Sequence, residues 1–279
     1  MISQISIVTP SYNQRPFIEL ALESVRSQNY ASVEHVVVDG GSTDGTVEYL
    51  RSLSGKTGWQ HLRWISEPDR GQSDALNKGF RMASGDIVGW LNSDDVYRSG
   101  CFAAITSAFE NNRAVDILYG DTTWIDEKSN IIQVRREIEF SRFVLAYHRV
   151  LYIPTTSTFF RRRIFDDGNW IDTRYDYAMD YEFFLRLTNA GYRFQHIPCL
   201  LADFRWHSES KSCSQSEKHL AEHDDIARMY SPLLRRMPSG IPLALARKGA
   251  RLLAAGRRYS EKLLRGYYFE QYRSAPFRP

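Results

Sequence analysis

Apolar and polar positions alternate along the first 120 residues in blocks whose period switches between strand-like and helix-like. Ile5-Ser6-Ile7-Val8 predicts a strand, and Pro16 then opens a helix carrying Phe17, Leu20, Ala21 and Val25 on one side. His35-Val36-Val37-Val38 is a nearly continuous apolar run, as expected of a strand buried on both faces. Ser42 or Asp44 stands where it can cap a second helix, on which Val47, Leu50 and Leu53 recur at helical spacing. Residues 62–65 predict a third strand, and Ala75, Leu76, Gly79 and Phe80 a third helix. Residues 87–91 predict a fourth strand, with a fourth helix after Gly100. Four β-α units in succession imply a parallel sheet with right-handed crossovers. The rhythm then changes. After Ile117-Leu118-Tyr119, residues 122–125 and 131–135 predict a hairpin, and 140–200 mix helix with short strands. An amphipathic helix covers 181–189, and from Ser216 the chain is helical and basic, broken by Pro232, Pro238 and Pro242.

The chain has 279 residues, 43% hydrophobic and 25% charged, which suffices for one large domain, or one domain with an appendage. No apolar run approaches the roughly 18–20 residues of a membrane span, and the first residues lack the basic and apolar regions of a secretory leader. Cys101, Cys199 and Cys213 are odd in number and far apart. That pattern argues against a disulfide framework or zinc cluster and favours a reducing, cytoplasmic setting. Charge is divided unequally: residues 235–279 carry eleven Lys/Arg against two Asp/Glu, net +9, while the whole chain is +3 and residues 1–234 are therefore −6. An acidic body with a basic tail is not the pattern of a nucleic-acid binder. It suits an acidic, metal-using site and a tail directed at an anionic surface.

The polar residues follow the strands. Thr9-Pro10-Ser11-Tyr12-Asn13, Asp39-Gly40-Gly41-Ser42, Glu67-Pro68-Asp69-Arg70-Gly71 and Asn92-Ser93-Asp94-Asp95 end the four predicted strands in turn. In a parallel sheet these ends share one edge, where open α/β sheets bind ligands. Neither GxGxxG nor a Walker loop is present. Carboxylates gathered at such an edge suit a diphosphate only with a divalent cation between them, and Asp94-Asp95 supply the one or two acids that Mg²⁺ or Mn²⁺ needs.

TPSYNQ, VVVDGGSTDGT, EPDRGQSDALNKG, SGDIVGWLNSDD and YAMDYEFFLRL together resemble the inverting nucleotide-sugar glycosyltransferases of family 2, over roughly residues 2–210. The branch most resembled builds bacterial surface polysaccharides. The resemblance implies an α/β fold of the GT-A type, a Rossmann-like, mostly parallel sheet flanked by helices, with a helical C-terminal extension. It divides the chain into 1–214, with a nucleotide-sugar part (1–121) and an acceptor part (122–214), and an extension from 215 to 279. By position, Tyr12, after Thr9-Pro10, resembles the aromatic stacked on the nucleotide base, and Asp39 the acid that hydrogen-bonds it. Asp69 or Arg70 would border the base, with Lys78 holding that loop. Asp94 resembles the ribose-side member of the metal motif and Asp95 the metal ligand; Asn92 stands where many relatives carry a further Asp.

Asp180 is the expected base, in Met179-Asp180 where the family usually has Glu-Asp, with Asp176 and Glu182 as neighbouring alternatives. In FRWHSESKS, His207 resembles a residue set against metal or diphosphate, while Arg205, Ser210 and Lys211 are placed to close over the phosphates. Residues 153–165 resemble the segment framing the acceptor, and Trp170 and Tyr175 suit either sugar stacking or the core. The expected activity is metal-dependent transfer of a sugar, UDP-linked by resemblance, to a hydroxyl of a glycan or lipid-linked acceptor. The competing expectations are a sugar-phosphate nucleotidyltransferase, which TPSYNQRP contradicts for want of a glycine-rich loop, and a non-catalytic nucleotide-sugar binder. Leucines interleaved with Lys and Arg beyond Arg235 suggest a helix on an anionic membrane, against packing on the body or on a second copy.

Overall fold

Strands β1 (Ile5–Ser11), β2 (Val33–Asp39), β3 (Leu62–Ser66) and β4 (Ile87–Trp90) run parallel. The helices expected between them are α1 (Arg15–Arg26), α2 (Thr46–Leu53) and α3 (Gln72–Met82), followed by α4 (Cys101–Asn111). The structure, a computed structural model, describes residues 3–148, 150–208, 217–231 and 240–269. The sheet continues through β5 (Val96–Tyr97), β6 (Ile117–Ile125), β8 (Thr158–Arg161) and β9 (Phe194–Arg205) in the order β3-β2-β1-β4-β8-β6-β9-β5. The predicted hairpin is present as β7 (Ile131–Arg135) antiparallel to β6. Around this second half lie α5 (Arg142–Tyr147), α6 (Arg163–Asp166), α7 (Met179–Asn189), α8 (Glu217–Tyr230) and α9 (Ile241–Leu264).

Side chains alternate across the sheet, so each strand feeds two cores. Ile5 and Ile7 of β1 and Phe159 of β8 join Phe102, Ile105 and Phe109 of α4 on one face. Val8 and Phe160 join Leu76 and Phe80 of α3 and Phe183 and Phe184 of α7 on the other. Helix α3 lies so close to the sheet that a Cβ on Gly79 would overlap Val8 Cγ1 and stand 3.4 Å from Val38 Cγ2. Gly79→Ala should therefore cost about 1–3 kcal/mol by overpacking. The cost should appear as a melting temperature lower by roughly 3–10 °C.

Several boundaries differ from expectation. Residues 117–119 and 122–125 are one strand, β6, which crosses the division drawn at 121. The short strands expected between 140 and 200 include β9, twelve residues long, which pairs with both β6 and β5. Gly45, at φ 96°, holds the N-cap position of α2 in place of Ser42 or Asp44; Asp44 precedes it, its Oδ1 accepting from the backbone N–H and hydroxyl of Thr46 and its Oδ2 from the N–H of Arg15. Pro242 falls in the first turn of α9, where proline needs no N–H partner, so it opens that helix instead of breaking it. Pro232 and Pro238 lie outside the described residues.

The tail is docked along one face. Arg258 bonds both carboxylate oxygens of Glu137 at 2.8 and 3.0 Å, and Lys262 approaches the same group at 3.1 Å. Glu261 Oε1 accepts from the N–H of Glu139 at 2.8 Å, and Leu243 and Ala254 are buried. Ile241, Leu245, Leu252, Tyr259 and Leu263 recur at helical spacing on the other side and are exposed. Among the described residues no helix is long and apolar enough to cross a membrane.

Candidate active site

The four parallel strands end on one edge, and each following loop is tied to its neighbour. Asp39, the last residue of β2, is fully enclosed. Its Oδ2 accepts from the N–H groups of Gly41 (3.0 Å) and Ser42 (2.9 Å) and from Ser66 Oγ (2.7 Å), and its Oδ1 from Ser42 Oγ. Asn13, at φ 52°, donates its N–H to Ser42 Oγ and accepts from the N–H of Thr43. Asp39 as it stands shapes this loop; the surface offered to a ligand lies above it. Tyr12 is 63% exposed there. A Cβ on Gly40 would stand 2.7 Å from Asp69 Oδ2 and 3.3 Å from Tyr12 Cδ2, so glycine at 40 leaves the aromatic ring and the carboxylate side by side. Thr9 and Pro10 are buried beneath, Thr9 Oγ1 lying 2.9 Å from His35 Nε2.

The 67–71 loop is clamped by Lys78, which reaches Glu67 at 2.7 Å, the carbonyl of Pro68 at 3.3 Å and, within α3, Asp74 at 3.7 Å. Arg70 is itself exposed and paired with Asp74 at 3.3 Å. Helix α3 then joins this edge to the rest of the site from its first turn. Gln72 Nε2 donates to Asn92 Oδ1 at 2.9 Å, and Ser73 Oγ donates to Met179 Sδ at 2.8 Å and to the carbonyl of Tyr175 at 3.3 Å. One turn on, Asn77 bonds both the N–H and the carbonyl of Ile171 at 2.8 Å.

After β4 the two acids part in burial, Asp95 turning inward and Asp94 outward. Asp95 is 0% exposed: Oδ1 accepts from the N–H of Arg205 (2.8 Å), and Oδ2 from Thr156 Oγ1 (2.6 Å) and Asn92 Nδ2 (3.2 Å). Burial and the neighbouring Asp94 hold its pKa well above the carboxylate range. Asp95 is therefore a buried anchor in this structure and not an open metal ligand. Asp94 faces outward, with Oδ2 2.9 Å from His207 Nε2. That bond raises the His207 pKa, and Phe17 packs against the imidazole with ring centroids 4.8 Å apart. Arg205 also turns inward. It is buried, donates to the carbonyls of Asp94 (2.8 Å), Asp126 (2.9 Å) and Glu127 (3.2 Å), and so fixes the β6–β7 turn to the Asp94 loop. Ser210 and Lys211 lie outside the described residues.

Among the described residues no three His, Cys, Asp or Glu side chains gather to hold a metal alone. Asp94 and His207 nevertheless fit a divalent cation. One carboxylate and one imidazole already converge to hydrogen-bond distance, and Mg²⁺ or Mn²⁺ ordinarily takes only one or two protein ligands beside phosphate oxygens. The imidazole favours Mn²⁺ of the two.

Asp180 stands in the first turn of α7, half-buried, with Oδ1 accepting from the N–H of Tyr181 at 2.7 Å. Burial pushes its pKa up to about 6, above the range of an ordinary carboxyl. Its alternatives are engaged elsewhere. Glu182 is bonded to Arg186 (2.8 Å) and Tyr230 (2.5 Å), and Asp176 is paired with Lys218. Tyr175 is buried, and Trp170 packs on Phe165 and under Arg81, so both serve the core. The start of α7 has a partner that sequence reading missed. Glu222 of α8 accepts from the N–H groups of Asp176 (3.2 Å), Tyr177 (2.9 Å) and Ala178 (2.9 Å), capping the helix from outside.

Comparison with known proteins places this geometry. Residues 6–168 match the model of Glycosyl transferase family 2. An uncharacterized glycosyltransferase of Mycobacterium tuberculosis is 32% identical over 97% of this chain and 93% of its own length. The chondroitin synthase of Escherichia coli is 25% identical over 82% of this chain and 34% of its own. Among solved structures, Staphylococcus aureus TarS 1-349 in complex with UDP-GlcNAc superposes with TM-score 0.66, at 15% identity over 92% of this chain and 73% of that one. The mannosyltransferase PcManGT of Pyrobaculum calidifontis, in complex with GDP-Man and Mn²⁺, gives 0.64 at 20% identity over 92% and 74%. These neighbours share the mixed, mostly parallel sheet with flanking helices, which is the GT-A fold expected from the motifs. The chain belongs to glycosyl transferase family 2, and it is a glycosyltransferase.

Proposed function

We propose that this glycosyltransferase moves a sugar, with inversion, from a nucleoside-diphosphate donor (UDP-linked in the first instance) to a hydroxyl of a glycan or lipid-linked acceptor in bacterial surface-polysaccharide synthesis. The observation that carries the reading is that Gln72 and Ser73, adjacent in α3, bind the loop bearing Asp94 and the start of the helix bearing Asp180. Donor-side and acceptor-side groups thus meet at one end of one helix. Tyr12, Gly40 and Asp69 would receive the nucleotide base on the 1–121 side, and Asp94 with His207 would hold Mn²⁺ or Mg²⁺. The bound ion would supply charge neutralisation to the departing diphosphate.

Asp180 on the 122–214 side would take the acceptor's hydroxyl proton as the new C–O bond forms and the sugar–phosphate C–O bond breaks. A pKa about 6 suits that work at neutral pH, since the group is ionised yet more basic than an ordinary carboxylate. With saturating donor and Mn²⁺, kcat should fall about tenfold per pH unit below about 6. Apparent Mn²⁺ affinity should weaken at higher pH than kcat, as His207, its pKa raised by Asp94, takes up a proton. The exposed stripe of α9, with Lys248, Arg251 and Arg257 around it, would lie on an acidic membrane surface on the cytoplasmic side. Thermal-shift measurements with UDP-, GDP- and dTDP-sugars, each with and without Mn²⁺, test the donor reading. One donor class should stabilise the protein in an Mn²⁺-dependent way, and stabilisation by none would overturn it.

A further inference from the structure

Helix α7 begins without a cap of its own, since Ala178 holds the N-cap position and has no side chain that could accept a hydrogen bond. The acceptor comes from α8. Glu222, 9% exposed, takes the N–H of Asp176 on Oε1 and those of Tyr177 and Ala178 on Oε2. The rest of α8 holds the same segment. Lys218 pairs with Asp176, His219 stacks on Tyr177 with ring centroids 5.8 Å apart, and His223 stacks on Tyr181 at 4.5 Å. Tyr230 donates to Glu182 at 2.5 Å, and Ile226 and Ala227 are buried in the core that contains Phe183 and Phe184. These contacts sort the acids. Asp176 and Glu182 are each bound to a donor on α8, whereas among the described residues no side chain donates to Asp180, which accepts from the N–H of Tyr181. A carboxylate in a first turn is ordinarily drawn to the free N–H groups at the helix start. Glu222 already takes the three donors just ahead, so Asp180 is not needed as their cap.

We propose that Glu222 is a positioning residue for the transfer: by fixing residues 176–178 it aims the Asp180 carboxylate at the acceptor's hydroxyl. The inference rests on the reading of Asp180 as the base given above; it does not depend on the donor, on the metal or on the membrane. It makes α8, which the division at 214 places in the extension, part of the transferring unit, although the residues matched by the family model end at 168. The base and the helix that holds it thus both lie beyond the matched segment.

Two readouts on the full chain test it. One needs no ligand: NMR titration of the ¹³C-labelled Asp180 carboxyl, identified by its absence in Asp180→Asn. The other is release of nucleoside diphosphate from UDP-glucose, UDP-GlcNAc and GDP-mannose in turn, with Mn²⁺, well above the Asp180 midpoint and well below the melting temperature. Glu222→Ala should slow release about tenfold or more, as a misplaced reacting group does, with donor affinity within about twofold of wild type. It should also lower the Asp180 midpoint from about 6 by roughly half a unit or more, because a negative charge is gone and the N–H groups it held are free to turn to Asp180. Glu222→Gln loses the same charge but keeps an acceptor for Tyr177 and Ala178. It should lower the midpoint likewise while release stays within about threefold. Lys218→Gln, which opens an exposed pair on the same helix, should change neither readout. Slower release with an unmoved midpoint would mean fewer folded molecules and would overturn the proposal. Donor affinity falling in step with release, or equal losses in Lys218→Gln, would do the same. Where a variant or donor gives no rate the titration decides alone, and an unmoved midpoint in Glu222→Gln overturns the role. Wild-type release in Asp180→Asn would overturn the base itself. Loss there, with both readouts unchanged in Glu222→Ala, would overturn only the part given to Glu222.

Discussion

Asp180→Asn should lose transfer by about 10³-fold in kcat while donor affinity stays within about twofold of wild type, and the variant should be the more stable protein. The first effect is the removal of a general base, ordinarily 10²–10⁴-fold. The second follows from the same burial. A carboxyl whose pKa rises from 3.8 to about 6 on folding binds its proton more tightly in the folded state. Its contribution to stability is favourable below pH 3.8, is lost as pH rises through about 6, and leaves a full cost above that value. Asparagine carries no such cost, so the variant should gain about 1–2 kcal/mol at pH 7.5, after allowance for the water that reaches this half-buried group. The gain should shrink at pH 4.5. Urea denaturation at the two pH values measures it. An unchanged kcat would remove Asp180 from the chemistry, and a variant less stable than wild type at pH 7.5 would contradict the account of its environment.

Asp94→Ala and Asp95→Ala should fail in different ways although the residues are adjacent. Asp94→Ala removes one of two proposed ligands, and Mn²⁺-dependent donor affinity should fall at least as far as the roughly 10–100-fold that losing an outer partner of a ligand costs. Its melting temperature should move little, because among the described residues the Asp94 carboxylate bonds only His207, and the carbonyl that holds Arg205 survives the substitution. Asp95→Ala instead strands the N–H of Arg205 and the hydroxyl of Thr156 in a buried place. Each buried orphan costs about 1–3 kcal/mol, so a melting temperature lower by roughly 5 °C or more is expected. Calorimetric melting and Mn²⁺-dependent donor binding separate the two. Loss of binding in a thermally unchanged Asp95→Ala, with binding intact in Asp94→Ala, would return the cation to Asp95.

Strands β1, β2 and β4 were legible because strands buried on both faces read as mainly apolar runs. The edge strand β3 was legible because Leu62, Trp64 and Ile65 still mark it around the exposed Arg63, and the helices because they keep a clean period. Strand β9 was not, since Pro198 interrupts it and its middle is partly exposed. The order of the acids after β4 was legible only in part. Asn92, Asp94 and Asp95 mark a polar strand end by themselves. Which acid turns inward, however, is decided by Thr156 and Arg205, 61 and 110 residues away. For Arg205 the cation suggests phosphate in the sequence, whereas in the fold it donates to the carbonyls of Asp94 and Asp126 and to Ser129 Oγ, contacts no local pattern announces. Ser73 and Asn77 left a readable signal, two small polar residues one helical turn apart on a side of α3 that otherwise packs inward. Glu222 left none, because a glutamate on a polar amphipathic helix looks the same whether it meets water or the start of another helix.

The central claim is that one base, Asp180, serves one displacement on a donor held at Asp94 and His207. The most direct test is the anomeric configuration of the product formed from an α-linked nucleotide sugar in the presence of Mn²⁺, read from the one-bond C–H coupling by NMR. The account predicts a β-glycoside. An α-glycoside would require a second displacement or a front-face route, and would contradict it.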